Sequence, residues 1–184
     1  MARETNIFSE KGQKALMGLD LAQGEKRLLA ALLKTYRHLE TRIEESTALI
    51  GKLYEESREA QLIRTIPGFG KYLSVLVAVE IADLNRFSDA AHLHAYAGVI
   101  PSTHSSGDKT YHGKIIRAGN RWLRWAAVEA VWPAIRADFD LRCFYERLSH
   151  AKGANKAKVA TARRLLTIIY KVWKEQRNYI PYQR

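Results

Sequence analysis

Apolar residues recur at alternating steps of three and four between Leu29 and Leu53, and this spacing is typical of one face of a helix. The heptad seam consists of Leu29, Leu32, Tyr36, Leu39, Ile43, Ser46, Ile50 and Leu53. It predicts a long helix that begins near Glu25. Two structures fit equally well: a coiled coil that joins two copies or reaches another domain, and an amphipathic helix packed on its own domain. Polar Ser46 within the seam weakens the coiled-coil alternative.

Helical spacing continues through the rest of the chain, whereas strand-like alternation is scarce. N-caps are expected at Ser9, Ser88 and Asn120, and helix stops at Gly18 and Gly98. Pro133 is expected to kink or end the helix that follows Asn120. A small-residue linker at 151–155 should precede a last helix over about 156–176. The chain therefore predicts a mostly α fold in which a long coiled-coil-like helix precedes a helical domain, with one short β-hairpin at 111–116.

The charge of this 184-residue chain is unevenly distributed. Residues 1–60 hold ten Lys and Arg against ten Asp and Glu, so the whole net charge of +11 lies in residues 61–184. This asymmetry predicts an N-terminal helical region, 1–60, and a basic helical domain, 61–184. A basic domain of this kind is expected to bind a polyanion, and nucleic acid fits best. A membrane surface is the weaker alternative, since no helix combines a basic face with a cleanly apolar one.

The composition excludes several other classes of protein. A single cysteine, Cys143, rules out an internal disulfide and a multi-cysteine zinc site. No run of about 18 apolar residues is present, so no membrane span is expected. The N-terminus lacks a signal-peptide pattern, which makes a reducing cytoplasm the expected location.

The order Ile66-Pro67-Gly68-Phe69-Gly70-Lys71 predicts the turn of a helix-hairpin-helix over about 62–82. Its two glycines allow a close approach of the backbone, and the second helix opens with free N–H groups that can hold a phosphate oxygen. Lys71 adds a positive charge at that point. An ordinary helix–helix turn has the same pattern, but the basic context favours contact with a DNA backbone, which reads no sequence.

The stretch Pro101–Arg124 contains a small polar segment that runs into a basic one. Ser106 and Gly107 belong to a predicted loop over about 99–119 that presents a hydroxyl, and Asp108 is the only acid. The cations that follow are Lys109, Lys114, Arg117, Arg121 and Arg124. A hydroxyl among cations suits a phosphodiester, because cations offset the charge of its oxygens and a positioned serine can attack phosphorus. A solvated surface loop is the commoner outcome for such a composition.

Trp122 and Trp125 flank the apolar stripe of the helix that ends this stretch. They could stack on bases, although buried tryptophans are the commoner finding. Arg163 and Arg164 charge the outer faces of the last helix.

Several ordered motifs resemble the C-terminal half of bacterial insertion-sequence 110/116/902 transposases, a group that includes the Piv-type DNA invertases. The motifs are Ile66-Pro67-Gly68 with Gly70, Arg86-Phe87-Ser88, Ala97-Gly98-Val99-Ile100-Pro101, Ser106-Gly107, Gly119-Asn120-Arg121 with Leu123-Arg124, and Ala162-Arg163-Arg164-Leu165-Leu166. Residues 8–12 and the heptad region are similar to the family's middle region, so the resemblance covers most of the chain.

The resemblance implies a function and a set of site residues. Family members cut and rejoin DNA in site-specific recombination, and some are directed by a structured RNA. An N-terminal RNase-H-like domain supplies four acidic residues that hold Mg²⁺, and the C-terminal domain supplies a serine nucleophile in a Ser-Gly pair, which maps onto Ser106 and Gly107. The resemblance and the distribution of basic residues together indicate a set of candidate DNA-binding residues. They are Gly68, Gly70, Lys71, Lys109, Lys114, Arg117, Asn120, Arg121, Arg124, Arg163 and Arg164.

The chain departs from the family in lacking the acidic domain, because residues 1–60 show neither alternating strands nor carboxylates spaced as a metal site. We therefore expect no metal in this chain, Mg²⁺ in a missing partner domain, and no activity of the chain alone. Smaller departures are Ile116, where a hydroxyl residue is usual, and Arg117, where lysine is usual. The expected partners are DNA, a guide RNA and a second copy bound through the N-terminal helix, in a bacterial cytoplasm.

Two hypotheses of other classes stay open. One is a non-catalytic nucleic-acid-binding remnant that regulates a full-length transposase. The other is a dimerisation module whose basic charge is incidental.

Overall fold

A computed structural model describes residues 6–106, 109–115 and 119–181, with the hairpin at 101–115 described by its backbone. The helices are α1 Glu10–Met17, α2 Gln23–Glu56, α3 Arg58–Arg64, α4 Lys71–Ile81, α5 Ala90–Ala97, α6 Arg121–Glu129, α7 Val131–Ala137, α8 Phe139–Lys152 and α9 Ala154–Glu175. A 3₁₀ helix spans Leu84–Arg86, and the strands are β1 Pro101–Ser106 and β2 Lys109–Ile115. The predicted mostly α fold with a long N-terminal helix is confirmed.

The chain divides into two compact units between Leu49 and Ile50, within α2. The sequence placed this boundary at residue 60. The last turns of α2 belong to the second unit because Ile50 and Tyr54 pack against its hydrophobic core.

The first unit is built on contacts between α1 and the early part of α2. The Phe8 ring stacks on Tyr36 with ring centroids 4.9 Å apart. The buried Gln13 side chain accepts from Arg37, with Oε1 3.0 Å from Nε and 2.9 Å from Nη2. Farther along the seam, Leu39 and Ile43 are 54% and 65% exposed. In the single chain, the middle of the seam is therefore uncovered.

The core of the second unit surrounds α9. Its buried residues repeat at helical spacing, with Leu165, Leu166 and Ile169 fully enclosed, because α9 packs against α3, α5, α6, α7 and α8. A helix that contacts so many neighbours needs an apolar surface wider than one stripe. The apolar residues of α9 from Ala157 to Trp173 thus form its inner face.

Three predicted boundaries differ from the structure. Asp89, not Ser88, is the N-cap of α5, with its Oδ1 3.0 Å from the His92 N–H that donates to it. The helix after Asn120 ends at Glu129, with Ala130 as its C-cap, and Pro133 lies in the first turn of α7, where a missing N–H breaks no helical bond. The linker at 151–155 is reduced to Gly153, whose φ of +85° favours glycine.

The segment predicted as a loop over about 99–119 forms an antiparallel hairpin in its described part. Its register pairs Ser106 with Lys109, and an irregularity lies between Pro101 and Thr103. The hairpin predicted at 111–116 corresponds to the second strand alone. Gly107, Asp108 and residues 116–118, which include Ile116 and Arg117, lie outside the described residues.

Candidate nucleic-acid interface

The turn between α3 and α4 is fixed by burial on one side. Ile66 and Phe69 are 1% and 3% exposed. Gly68 has a φ of +94°, and a Cβ there would collide with the carbonyl oxygen of Ala130. Glycine at position 68 therefore serves the packing of the turn against the junction of α6 and α7.

The other side of this turn is open. Gly70 is the N-cap of α4, makes no side-chain cap bond and has free space around the position of a Cβ. The first turn of α4 contains no acidic residue. Its first N–H groups therefore remain available for an anion.

Lys71 adds a mobile cation at the start of α4. Its Nζ lies 3.4 Å from Glu55 Oε1 and 5.0 Å from the centroid of the Tyr54 ring. Both charged side chains are more than half exposed, so the ion pair holds Lys71 weakly. The lysine can therefore turn to an incoming phosphate at little cost.

Asn120 fixes the start of α6 beside α4 and α5. Its Oδ1 accepts from the N–H groups of Trp122 and Leu123 at 3.0 and 2.9 Å. Its Nδ2 donates to Glu80 Oε2 at 2.6 Å and to the Tyr96 hydroxyl at 3.2 Å. These bonds occupy both polar atoms of the side chain, so Asn120 orients α6, and its DNA contact stays a prediction.

Arg121 and Arg124 differ in how freely they are presented. The Arg121 side chain is exposed, with its guanidinium 4.9 Å from the centroid of the Trp122 ring. Arg124 is half-buried and donates from Nη1 to the Ala97 carbonyl at 3.3 Å. Among the described residues neither arginine forms an ion pair, so both charges are available to a phosphate.

Arg163 and Arg164 line a separate cleft of about 840 Å³ beside α9, together with Lys171. Arg164 is paired with Asp140 and lies over the Phe144 ring, whereas the Arg163 side chain is exposed. Part of the positive charge of this cleft is therefore already neutralised.

Half-buried His94 lies next to Arg163, and its Nε2 is 3.0 Å from Thr167 Oγ1. Burial lowers the pKa of its imidazole to about 4, and the Arg163 charge adds to the effect against an opposing influence of Asp89. His94 is thus neutral at ordinary pH and contributes no positive charge.

The candidate nucleophile Ser106 ends β1, and the register sets it opposite Lys109, while Lys114 lies farther along β2. Gly107 and Arg117 fall outside the described part of the chain. Within that part, no group of His, Cys, Asp and Glu is placed to hold a metal ion. The serine's catalytic role stays a prediction.

The exposure of the two tryptophans of α6 was not expected from the sequence, which favoured buried tryptophans. Trp122 and Trp125 are 46% and 42% exposed. Their positions on either side of the buried residues Leu123 and Ala126 are the signal that could have revealed this. Among the described helices, none has the length and apolar character that crossing a bilayer requires.

Comparison with known proteins identifies relatives of the chain. Residues 60–146 match the family described as Transposase IS116/IS110/IS902 family. The chain is 30% identical over 156 residues to the insertion element IS900 uncharacterized 42 kDa protein of Mycobacterium paratuberculosis, which covers 84% of this chain and 39% of that protein. It is 34% identical over 138 residues to the pilin gene-inverting protein of Moraxella bovis, and the match covers 71% of this chain and 42% of that protein.

A third relative is the transposase for insertion sequence element IS1111A of Coxiella burnetii, 25% identical over 185 residues, covering 97% of this chain and 51% of the relative. The chain belongs to the IS116/IS110/IS902 transposase family, as the sequence motifs predicted. It spans about half or less of the length of these three curated relatives.

Proposed function

We propose that this chain is the DNA-binding C-terminal part of a transposase or site-specific recombinase that cuts and rejoins DNA through a serine nucleophile. The observation that carries the proposal is the cationic surface along α4 and α6, which extends from the uncapped start of α4 at Lys71 to the start of α6, held by Asn120 beside Glu80 in the last turn of α4. Lys71, Arg121 and Arg124 lie there without a strong carboxylate partner among the described residues. Membership of a transposase family supports DNA as the polyanion.

In this proposal the surface holds the phosphate backbone of a duplex. The N–H groups of α4 receive a phosphate oxygen at Gly70, where open space permits close approach, and Lys71 offsets the charge. Arg121 and Arg124 bind neighbouring phosphates. Further contacts are proposed for Lys109 and Lys114 in the hairpin, for Asn120 at the start of α6, and for Arg163 and Arg164 on α9. A contact is also proposed for Arg117, which is outside the described residues.

The catalytic step is proposed at Ser106. Its hydroxyl oxygen attacks phosphorus, the bond from phosphorus to a sugar oxygen breaks, and the leaving oxygen takes up a proton. Serine is a weak nucleophile, so the step requires an activating base or metal. The described residues lack a carboxylate cluster that suits Mg²⁺, and the proposal therefore assigns the metal, with the acidic domain, to a partner of this chain. A structured guide RNA is a further proposed partner.

A covalent protein–DNA adduct tests the catalytic part. The chain is incubated with Mg²⁺, an acidic domain of the family supplied separately, and duplex DNA carrying the ends of a family element. We expect an adduct that survives denaturing electrophoresis, that disappears in Ser106→Ala and that persists in the neighbouring control Ser105→Ala. An adduct of undiminished yield in Ser106→Ala would show that another residue is the nucleophile.

The alternative function is a non-catalytic nucleic-acid-binding remnant that regulates a full-length transposase. The exposed cations of α4 and α6 support it as well, because this alternative requires only nucleic-acid binding. This alternative predicts tight DNA binding, competition with a full-length family member, and no adduct under any supplementation.

A further inference from the structure

Three exposed aromatic side chains form one continuous surface across α4 and α6. Tyr72 is 50% exposed, Trp122 46% and Trp125 42%. The rings of Tyr72 and Trp125 have centroids 6.3 Å apart, and those of Trp122 and Trp125 lie 6.4 Å apart. We call Tyr72, Trp122 and Trp125 the aromatic surface. Displaying so much contiguous apolar area to water is unfavourable unless a partner covers it.

Ring geometry within the aromatic surface leaves room for a stacked partner. The interplanar angles are 77° between Tyr72 and Trp125 and 90° between Trp122 and Trp125. The rings therefore meet edge to face in both of these pairs. A planar partner can cover a ring face that is taken neither by the edge of another ring nor by the Arg121 guanidinium.

Two cations border the aromatic surface. Lys71 precedes Tyr72 at the start of α4, and the Arg121 guanidinium lies 4.9 Å from the centroid of the Trp122 ring. Neither α4 nor α6 has an acidic residue in its first turn, and Glu129 lies at the opposite end of α6 from Arg121. Glu80, in the last turn of α4, accepts a hydrogen bond from Asn120 Nδ2. A partner that is planar, apolar on its faces and negatively charged at its edge complements this surface.

We propose that the aromatic surface binds unpaired nucleobases by stacking, with the adjoining phosphates held by Lys71 and Arg121. The proposal rests on the proposed DNA-binding function and adds single-stranded or extrahelical nucleotides to the backbone contacts of a duplex. Aromatic side chains beside cations bind single strands without sequence preference, because every base presents a π-face. Every base type is therefore expected to bind at this surface.

Tryptophan fluorescence of the full chain reports on this binding directly. Three ligands of about 15 nucleotides are titrated at one salt concentration: oligo-deoxythymidine, an abasic strand with the same phosphates, and a duplex. We expect quenching by oligo-deoxythymidine and a lower affinity for the abasic strand. The affinity for oligouridine of the same length, compared with that for oligo-deoxythymidine, shows whether the surface prefers single-stranded RNA or DNA.

Substitutions separate stacking from charge. Trp122→Ala with Trp125→Ala is expected to lower the affinity for the single strand about tenfold or more, with abasic and duplex affinities unchanged. Trp122→Phe with Trp125→Phe is expected to retain affinity and lose most of the quenching, because phenylalanine stacks but emits little. The affinities of all variants are therefore measured by the anisotropy of an end-labelled strand. Trp132→Ala is the matched control, since Trp132 is 43% exposed but its ring lies against Tyr145 and Lys158.

The double alanine variant (the Ala pair) could melt at a lower temperature and lose affinity for that reason alone. The double phenylalanine variant (the Phe pair) keeps the rings in place, so a loss of its affinity would contradict stacking. Equal affinity of the wild type for the abasic strand and oligo-deoxythymidine, or wild-type affinity in a folded Ala pair, would overturn the stacking proposal. Duplex binding that survives either result leaves the proposed function standing. Failure of the wild type to bind any of these ligands would overturn both.

Discussion

At the scale of single residues, two glycines of one turn have opposite roles. Gly68 has a φ of +94° and presses against the Ala130 carbonyl, so the fold itself requires glycine there. Gly70 has a φ of −74° and open space around it, so the fold tolerates a side chain at this position. In the proposed phosphate contact, however, a side chain here would keep the phosphate away from the N–H groups. The sequence marked both positions as glycines for close approach, but only the packing of α6 and α7 against the turn distinguishes them.

Replacing each glycine by alanine tests this distinction. Gly68→Ala is expected to lower the free energy of unfolding by about 2 kcal/mol or more, because it combines strain at positive φ with a collision against backbone. Gly70→Ala is expected to change it by less than about 1 kcal/mol. Urea denaturation of both variants measures the difference, and equal stabilities would contradict the described packing.

His94 makes stability depend on pH. Burial, aided by Arg163, lowers the pKa of its imidazole to about 4 from the ordinary value of 6.5. Between these two values the unfolded chain binds a proton that the folded chain does not, so this stability is fully present above pH 6.5 and is lost as pH falls. We expect a loss of about 1–3 kcal/mol by the lower end of this window, absent in His94→Gln.

Denaturant unfolding of the wild type and His94→Gln at neutral and mildly acidic pH provides the comparison. The glutamine variant keeps a polar atom near Thr167 and cannot take up the proton. An identical acid-dependent loss in both proteins would assign the effect to other groups.

At the scale of elements, the local sequence pattern predicted the helices well and the pairing of the two strands poorly. The heptad seam predicted α2, and Gly98 ends α5 in the left-handed conformation, because each signal lies within one element. The sequence around Ser88 and Asp89 offers two adjacent capping residues, and only the position of the first helical turn selects Asp89. The strand β1 has no apolar alternation, so its pairing with β2 was not visible in the sequence.

The exposed middle of α2 is expected to join two copies of the chain. Leu39 and Ile43 lie in the seam at 54% and 65% exposure, and burying them in a dimer would recover hydrophobic free energy. Leu39→Ser with Ile43→Ser should convert a dimer to a monomer in sedimentation equilibrium. The control Ala31→Ser with Ala48→Ser alters helix positions off the seam. A wild-type monomer, or a dimer that survives the seam substitutions, would contradict this interface.

At the scale of the whole molecule, the net charge of +11 identified the basic domain, and the fold determines which charges are available. The predicted set included Arg164 and Asn120, yet Arg164 is paired with Asp140 and Asn120 is committed to the start of α6. Such partnerships arise between elements distant in sequence, so composition could not reveal them. The exposure of the aromatic surface was not predicted for a different reason, since residue type favours burial of tryptophan.

The salt dependence of duplex DNA binding tests the central claim, that the start of α6 beside α4 holds phosphates. For the wild type, the logarithm of affinity should fall steeply with the logarithm of salt concentration. Arg121→Ala with Arg124→Ala should reduce that slope by about 1.8, because each phosphate that a cation neutralises adds about 0.9 to it. Arg147→Ala with Lys152→Ala removes the same charge from α8 and should leave the slope unchanged. A wild-type slope retained in the Arg121 and Arg124 variant would contradict the account.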